Sequence, residues 1–284
     1  MDATLNVRSK QRANVLSLLL VVVSVLLGFL FFYPVVFSIA SAFKTNGEIL
    51  RNPLGLPSKL RMDNFIYLWN KTSIPQAAIN SAFLTITSVV CMILVIPMSC
   101  YAIDRRKGRM SNFLYRMFIS GMMIPFQVYM IPLFRQMRYL GLFGTLYGPI
   151  FVYVSGACAF GTLLYCGFMK TVPHELEESA FLDGCNSFST FWKIIFPQLK
   201  PCTASMIILQ GVGIWNDFLM PLMVLPANRP KTINVEIYAF IGEFQVRWDI
   251  LFTGTFISMV PVLIIFALLQ KQFVSGIMTG AVKG

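Results

Sequence analysis

Residues 173–201 read Pro-His-Glu-Leu-Glu-Glu-Ser-Ala-Phe-Leu-Asp-Gly-Cys-Asn-Ser-Phe-Ser-Thr-Phe-Trp-Lys-Ile-Ile-Phe-Pro-Gln-Leu-Lys-Pro. They are the long polar interruption in an otherwise apolar chain. They hold its only histidine, His174, and four acids: Glu175, Glu177, Glu178 and Asp183. The local grammar is two short helices with a bend. Thr171 is the expected N-cap, with Pro173 in the first turn, where its missing N–H costs nothing. The three glutamates suit the positive end of the helix dipole. Asp183-Gly184 breaks the run, with Gly184 free to turn left-handed. Asn186 or Ser187 caps the second helix, and Pro197 and Pro201 delimit its end.

The surroundings set the solvent. Of 284 residues, 56% are hydrophobic and 12% charged, and the mean hydropathy is +0.69. Soluble domains carry about 25% charged residues. The chain therefore reads as a single all-α membrane domain. A net charge of +11 would suggest nucleic acid in a soluble protein. Here the basic residues fall in loops between apolar spans and set orientation. The six cysteines, Cys91, Cys100, Cys158, Cys166, Cys185 and Cys202, lack C-x-x-C spacing and read as small hydrophobes. The first apolar run is about twice the length of a signal-peptide core of about 7–15 residues, so it reads as an uncleaved span.

Six spans are expected, at about 15–42, 76–103, 112–134, 145–168, 202–225 and 250–270. Residues 1–14 form a cytoplasmic N-terminal segment, 15–273 the membrane domain, 170–200 a cytoplasmic loop and 274–284 a cytoplasmic tail. Arg8, Lys10 and Arg12 place the N-terminus inside. The cluster Asp104-Arg105-Arg106-Lys107-Gly108-Arg109 marks the inner end of the second span. Between the first two spans, residues 62–69 read as a short amphipathic helix with Phe65, Leu68 and Trp69 on one side. Pro125 and Pro132 break or bend the third span, which is tolerated where freed carbonyls face protein or a wet cavity. Gln127 and Tyr129 are thus candidate pathway residues, and Asn80 in the second span is another. The fourth span carries Gly148, Ser155, Gly156, Ala157, Ala159 and Gly161, which allow close helix approach. The fifth contains Trp215, Asn216 and Asp217. A mid-membrane carboxylate costs about 2.5–3.5 kcal/mol on insertion scales, so Asp217 must face a cavity, a partner or another helix.

Catalytic patterns are missing from the sequence. There is no G-x-x-x-x-G-K-[ST], no G-x-S-x-G and no H-E-x-x-H, and one histidine cannot build a metal site. No catalytic residue, metal site or bound cofactor is expected in this chain.

Glu178-Ser179-Ala180, Asp183-Gly184-Cys185, Phe191, Ile194, Pro197 and Pro201 resemble the EAA loop of permease subunits of ATP-binding-cassette importers. Ser179 and Cys185 stand where the family has alanine. Residues 122–134, Leu140-Gly141-Leu142, Trp215-Asn216-Asp217-Phe218 and Gly280-Ala281-Val282-Lys283-Gly284 are similar to the carbohydrate-uptake subgroup, in particular its maltose-type "G" subunit. The resemblance implies a type I importer permease fold with six transmembrane helices and both termini cytoplasmic, in a bacterial cell membrane. It implies an ATP-driven sugar importer, with an oligosaccharide as the expected cargo. Expected partners are a second, different permease subunit, two ABC ATPase subunits that use ATP and Mg, and an extracytoplasmic solute-binding protein. It assigns ATPase coupling to Glu175, Glu178, Ser179, Ala180, Asp183, Gly184, Phe191, Ile194 and Pro197. Phe188, Phe191, Trp192 and Ile195 are expected to anchor the second short helix. Two other readings stay open: an ion-gradient-driven secondary transporter, and a membrane scaffold without a pathway.

Overall fold

A computed structural model describes residues 2–106, 108–226, 230–242 and 246–281, with side chains between 17 and 268. Lys107 and the terminal Val282-Lys283-Gly284, which entered the sequence reading, lie outside the described residues. Among the described residues the regular structure is helical, apart from one antiparallel bridge between Ile241 and Val246. In order the helices are α1 (Asp2–Ala42), α2 (Asn46–Arg51), α3 (Asp63–Lys71), α4 (Ile74–Arg105) and α5 (Arg109–Ser120). A 3-10 turn, Gly121–Met123, leads to α6 (Phe126–Tyr139), α7 (Tyr147–Met169) and α8 (Glu175–Leu182). Then come α9 (Ser187–Thr190), a π-helical turn (Phe191–Ile195), α10 (Phe196–Gln198) and α11 (Lys200–Asn216). Last are α12 (Leu219–Val224), α13 (Ile233–Tyr238) and α14 (Trp248–Ala281).

Four described helices are long and apolar enough to cross a membrane: Ser17–Ala42, Ile74–Arg105, Tyr147–Met169 and Trp248–Leu268. Two expected spans depart from single helices, both at proline. The third is a pair, Arg109–Met123 and Phe126–Tyr139, bent by 105°. Pro125 forces the preceding Ile124 into extended backbone (φ −96°, ψ 109°), which stops the helix there. Pro132 is absorbed inside α6. The helix also runs on to Tyr139, past the expected end of the third span at about residue 134. The fifth expected span is α11, of 17 residues, then an interruption at Asp217–Phe218 and α12. At 1.5 Å per residue α11 alone reaches about 25 Å, short of an apolar core of about 30 Å. The Pro221 ring would clash with the carbonyl four residues back, that of Asp217, so the helix opens there.

The chain divides into two compact units. One comprises Met1–Lys71 and Phe240–Ile257. Its rings Phe43, Phe65 and Phe256 meet pairwise at 5.2–5.9 Å. Leu68 is buried, as the amphipathic reading requires, but Trp69 is 64% exposed and leaves that face. Lys44 is buried and its ammonium donates to the Asn52 and Pro53 carbonyls, which fixes the turn after α2. The Ser58 N–H donates to Glu48 at 2.6 Å and holds that carboxyl below its usual pKa. The helix α14 begins at Trp248, whose N–H donates to the Asn46 side-chain oxygen at 3.1 Å.

The second unit, Thr72–Ala239 and Ser258–Gly284, carries the candidate sites. Its core is α4 lying along α7, with α11 against both. Leu84, Met92, Ile96 and Cys100 meet Tyr165, Cys166, Cys202 and Met206 there. Apolar transfer adds little between helices in lipid, so contact distance decides. A Cβ on Gly161 would come within 2.7 Å of Ile96 and 3.2 Å of Met206, so only a bare backbone fits. Gly148 plays the same part against Met137 and the Leu142 carbonyl. Gly156 has nothing within 4 Å of such an atom, so the small residues of α7 do not act as one seam.

Candidate coupling surface and pathway residues

The polar interruption folds as two short helices around a bend, with one change of cap. The Thr171 hydroxyl donates to Phe168 O at 2.7 Å and so closes α7. The helix α8 starts after His174, two residues beyond Pro173, with no side-chain cap, so the expected Thr171 cap does not form. Glu175, Glu177 and Glu178 occupy the first turn, where the open N–H groups favour negative charge. At the bend Gly184 takes φ +83°, a conformation that a Cβ would strain. The Cys185 N–H reaches back to Ala180 O at 2.9 Å and the Gly184 N–H to Phe181 O at 3.1 Å, which satisfies the last carbonyls of α8. Asn186, not Ser187, caps α9: its side-chain oxygen accepts from the Ser189 N–H at 2.8 Å.

After α9 the chain widens into the π-helical turn. The Phe196 N–H bonds to Phe191 O, five residues back. Pro197 follows at once, has no N–H, and would crowd the carbonyl of Lys193 in a regular α-helix. Phe191 and Ile195 are buried, while Ile194, Trp192 and Pro197 are half-buried. Phe188, an expected anchor, is 65% exposed, although its ring meets Trp192 edge-on at 6.4 Å.

The four acids do not act as one cluster. Glu175, Glu178 and Asp183 are exposed, as is Ser179, whose hydroxyl bonds back to Glu175 O. Glu177 is buried. One of its oxygens accepts from the Tyr101 hydroxyl at 3.0 Å and the other from Arg105 Nε. Arg105 spends its remaining N–H groups on Asp104 at 2.9 Å and on the Val172 carbonyl at 3.2 Å, and lies 3.3 Å from the His174 ring nitrogen. Ala180 is also turned inward, whereas Leu182 is 89% exposed. The outer face of the bent pair thus combines carboxylates with bare apolar side chains. A cavity of about 490 Å³, lined by Met98, Tyr101, Arg106, Phe181, Phe188 and Phe191 among others, lies between this pair and the end of α4.

Sequence reasoning missed Glu177 as a structural residue and Leu182 as an outward one. The usable signal was spacing: Glu177 and Ala180 sit three apart, on one helical face.

The candidate pathway residues separate into two groups. Asn80, Trp215 and Asp217 are engaged. Asn80 Nδ2 donates to Lys231 O at 3.0 Å, and Trp215 Nε1 donates to Ser258 O at 2.9 Å. Asp217 accepts from the Tyr153 hydroxyl at 2.7 Å and from the Leu219 N–H at 2.9 Å, so it ties α7 to the interruption and caps α12. Another helix is therefore the partner that this carboxylate needed. Asn216, Gln127 and Tyr129 are exposed, and Tyr129 packs edge-on against Phe126 at 5.5 Å. Among the described residues no group of three or more His, Cys, Asp or Glu is placed to hold a metal.

Residues 95–279 match the family described as "Binding-protein-dependent transport system inner membrane component". The chain belongs to this family. As an inner membrane component of such a transport system, it carries both the bent pair α8–α9 and the Asp217 interruption inside the matched region, while Asn80 precedes it. It is 32% identical over 276 residues to the "Probable starch degradation products transport system permease protein AmyC" of Thermoanaerobacterium thermosulfurigenes, covering 96% of this chain and 99% of that one. It is also 32% identical over 279 residues to the arabinooligosaccharides transport system permease protein AraQ of Halalkalibacterium halodurans, covering 97% and 99%. The multiple sugar-binding transport system permease protein MsmG of Streptococcus mutans is 32% identical over 269 residues, covering 90% and 93%. The fold of this transport component is that of a chain in the crystal structure of a bacterial ABC transporter that imports the acidic polysaccharide alginate. The TM-score is 0.82 at 20% identity, over 92% of this chain and 97% of that one. The chain is thus a membrane-embedded permease subunit of an ABC importer.

Proposed function

We propose that this permease takes up a sugar, with an oligosaccharide as cargo, as one of two different permease subunits in a bacterial cell membrane. In this reading it crosses the membrane six times with both termini cytoplasmic; the α5–α6 pair and the α11–α12 pair each count as one crossing. A solute-binding protein delivers the sugar outside, and two ABC ATPase chains inside use ATP and Mg. The chain itself binds no cofactor. The sugar assignment is supported by relatives named for starch degradation products, arabinooligosaccharides and multiple sugars.

The observation that carries the coupling role is the outer face of α8 and α9. Glu175, Glu178 and Asp183 stand there beside exposed Leu182. Apolar side chains bared in a polar loop mark an interaction surface, and carboxylates around them select a basic partner. The rigid Gly184 bend lets that surface act as a lever rather than a floppy connection.

The test is reconstitution of the whole complex in proteoliposomes with a panel of radiolabelled oligosaccharides. Glu178→Lys and Gly184→Pro are expected to abolish the sugar-stimulated part of ATP hydrolysis while the chain still inserts in the membrane. Normal stimulated hydrolysis in both variants overturns the coupling role. Uptake that continues without ATP overturns the importer reading.

A further inference from the structure

The helix α8 has few means of attachment. Of its eight residues only Glu177 and Ala180 are buried. Ala180 offers one methyl group. Glu177 offers a carboxylate gripped from two sides by Tyr101 and Arg105, both on the last two turns of α4. The Arg105 and Glu177 side chains are only 10% and 8% exposed. Arg105 also holds the Val172 carbonyl, in the segment leading into α8. Charged hydrogen bonds out of water are directional and do not slide as apolar contacts do.

We infer that Arg105 and Glu177 are a positioning pair that locks α8 to the inner end of α4, so that any displacement of α8 is handed to α4 as rigid motion. The inference rests on the coupling role proposed above for the outer face of α8. The lock works on the adjoining face of the helix. The exposed Glu178 meets the partner, and the buried Glu177, one residue before it, delivers the motion inward. Because α4 lies along α7 through the whole core, the pair connects the loop to the centre of the helical unit. The route through the Gly184 bend and the π-helical turn enters the membrane at α11 instead. The pair therefore provides a second point of attachment, and two points fix the orientation of a lever where one leaves it free to swivel.

The experiment measures the lock without knowledge of the sugar. In the full complex, with the natural cysteines replaced, nitroxide labels are placed on α4 through Ser99→Cys and on α8 through Leu176→Cys, both exposed. Their separation is read by pulsed electron paramagnetic resonance, with and without MgATP and vanadate. One narrow distance, unchanged by nucleotide, is expected. Glu177→Gln is expected to broaden it, and Arg105→Gln to broaden it alike. A distance that stays narrow in Glu177→Gln overturns the inference, and so does one that shifts with nucleotide in the parent. A distance that stays narrow in Arg105→Gln overturns the assignment to the ion pair. Retention of the ATPase chains by a Glu178→Lys complex is scored alongside. Undiminished retention there argues against the docking reading, whereas lost retention with an unaltered Glu177→Gln distance removes the lock alone.

Discussion

The two ends of α4 are held by different chemistry. At the Arg105 end the grip is an ion pair, about nine-tenths buried and reinforced by a phenol. At the other end it is made of neutral groups. Asn80 donates to Lys231 O, and the Ser81 hydroxyl accepts the Ile233 N–H at 2.9 Å. Both ends fasten a loop to the same helix, yet the energetic terms differ. A neutral hydrogen bond contributes about 0.5–1.5 kcal/mol net. A desolvated ion pair adds little beyond its own desolvation, but it is severely missed when one partner is removed. The neutral end is a fastening that tolerates damage. The charged end permits one geometry and penalises the rest.

Three substitutions bring out that contrast. Arg105→Met leaves Glu177 as a buried carboxylate with only Tyr101 beside it, and is expected to destabilise the chain by about 3–5 kcal/mol. Thermal unfolding of the detergent-purified complex measures this, and a loss no larger than that at the opposite end erases the distinction drawn here. Asn80→Leu strands the Lys231 carbonyl and is expected to cost about 1–3 kcal/mol. Hydrogen exchange should accelerate at residues 231–234 and stay unchanged in α8; exchange that rises in both places means that the two grips are not independent. Gln76→Ala removes only the 3.1 Å bond that steadies Asn80 from one turn earlier on the helix. About 0.2–0.5 kcal/mol is expected, so the melting curve should be nearly superimposable on the parent's.

Apolar runs and proline made most of the helical order legible in the sequence, and the interruption at Pro125 follows from backbone sterics alone. So does the Gly184 bend, because an Asp-Gly pair after an acidic helix leaves few other conformations. What stayed hidden depends on partners far along the chain. Glu177 and Glu178 are adjacent identical letters, and only the arrival of Tyr101 and Arg105, more than seventy positions earlier, separates a buried carboxylate from an exposed one. Gly156 and Gly161 look equivalent on α7, yet Ile96 and Met206 press on one and nothing presses on the other. Asp217 read as a residue in need of a partner. That the partner is Tyr153 follows from the packing of α7 beside the α11–α12 interruption, which composition does not encode.

The π-helical turn before Pro197 sets a phase. Its extra residue delays the winding by about 100° relative to an uninterrupted α-helix. Everything upstream, including Phe188 and the Gly184 bend, is therefore rotated about the axis by that angle. Deleting one residue between Phe191 and Ile195 would keep every side chain of the outer face in the sequence and aim that face elsewhere. The heading of the bent pair is thus encoded in a residue count rather than in any residue's identity.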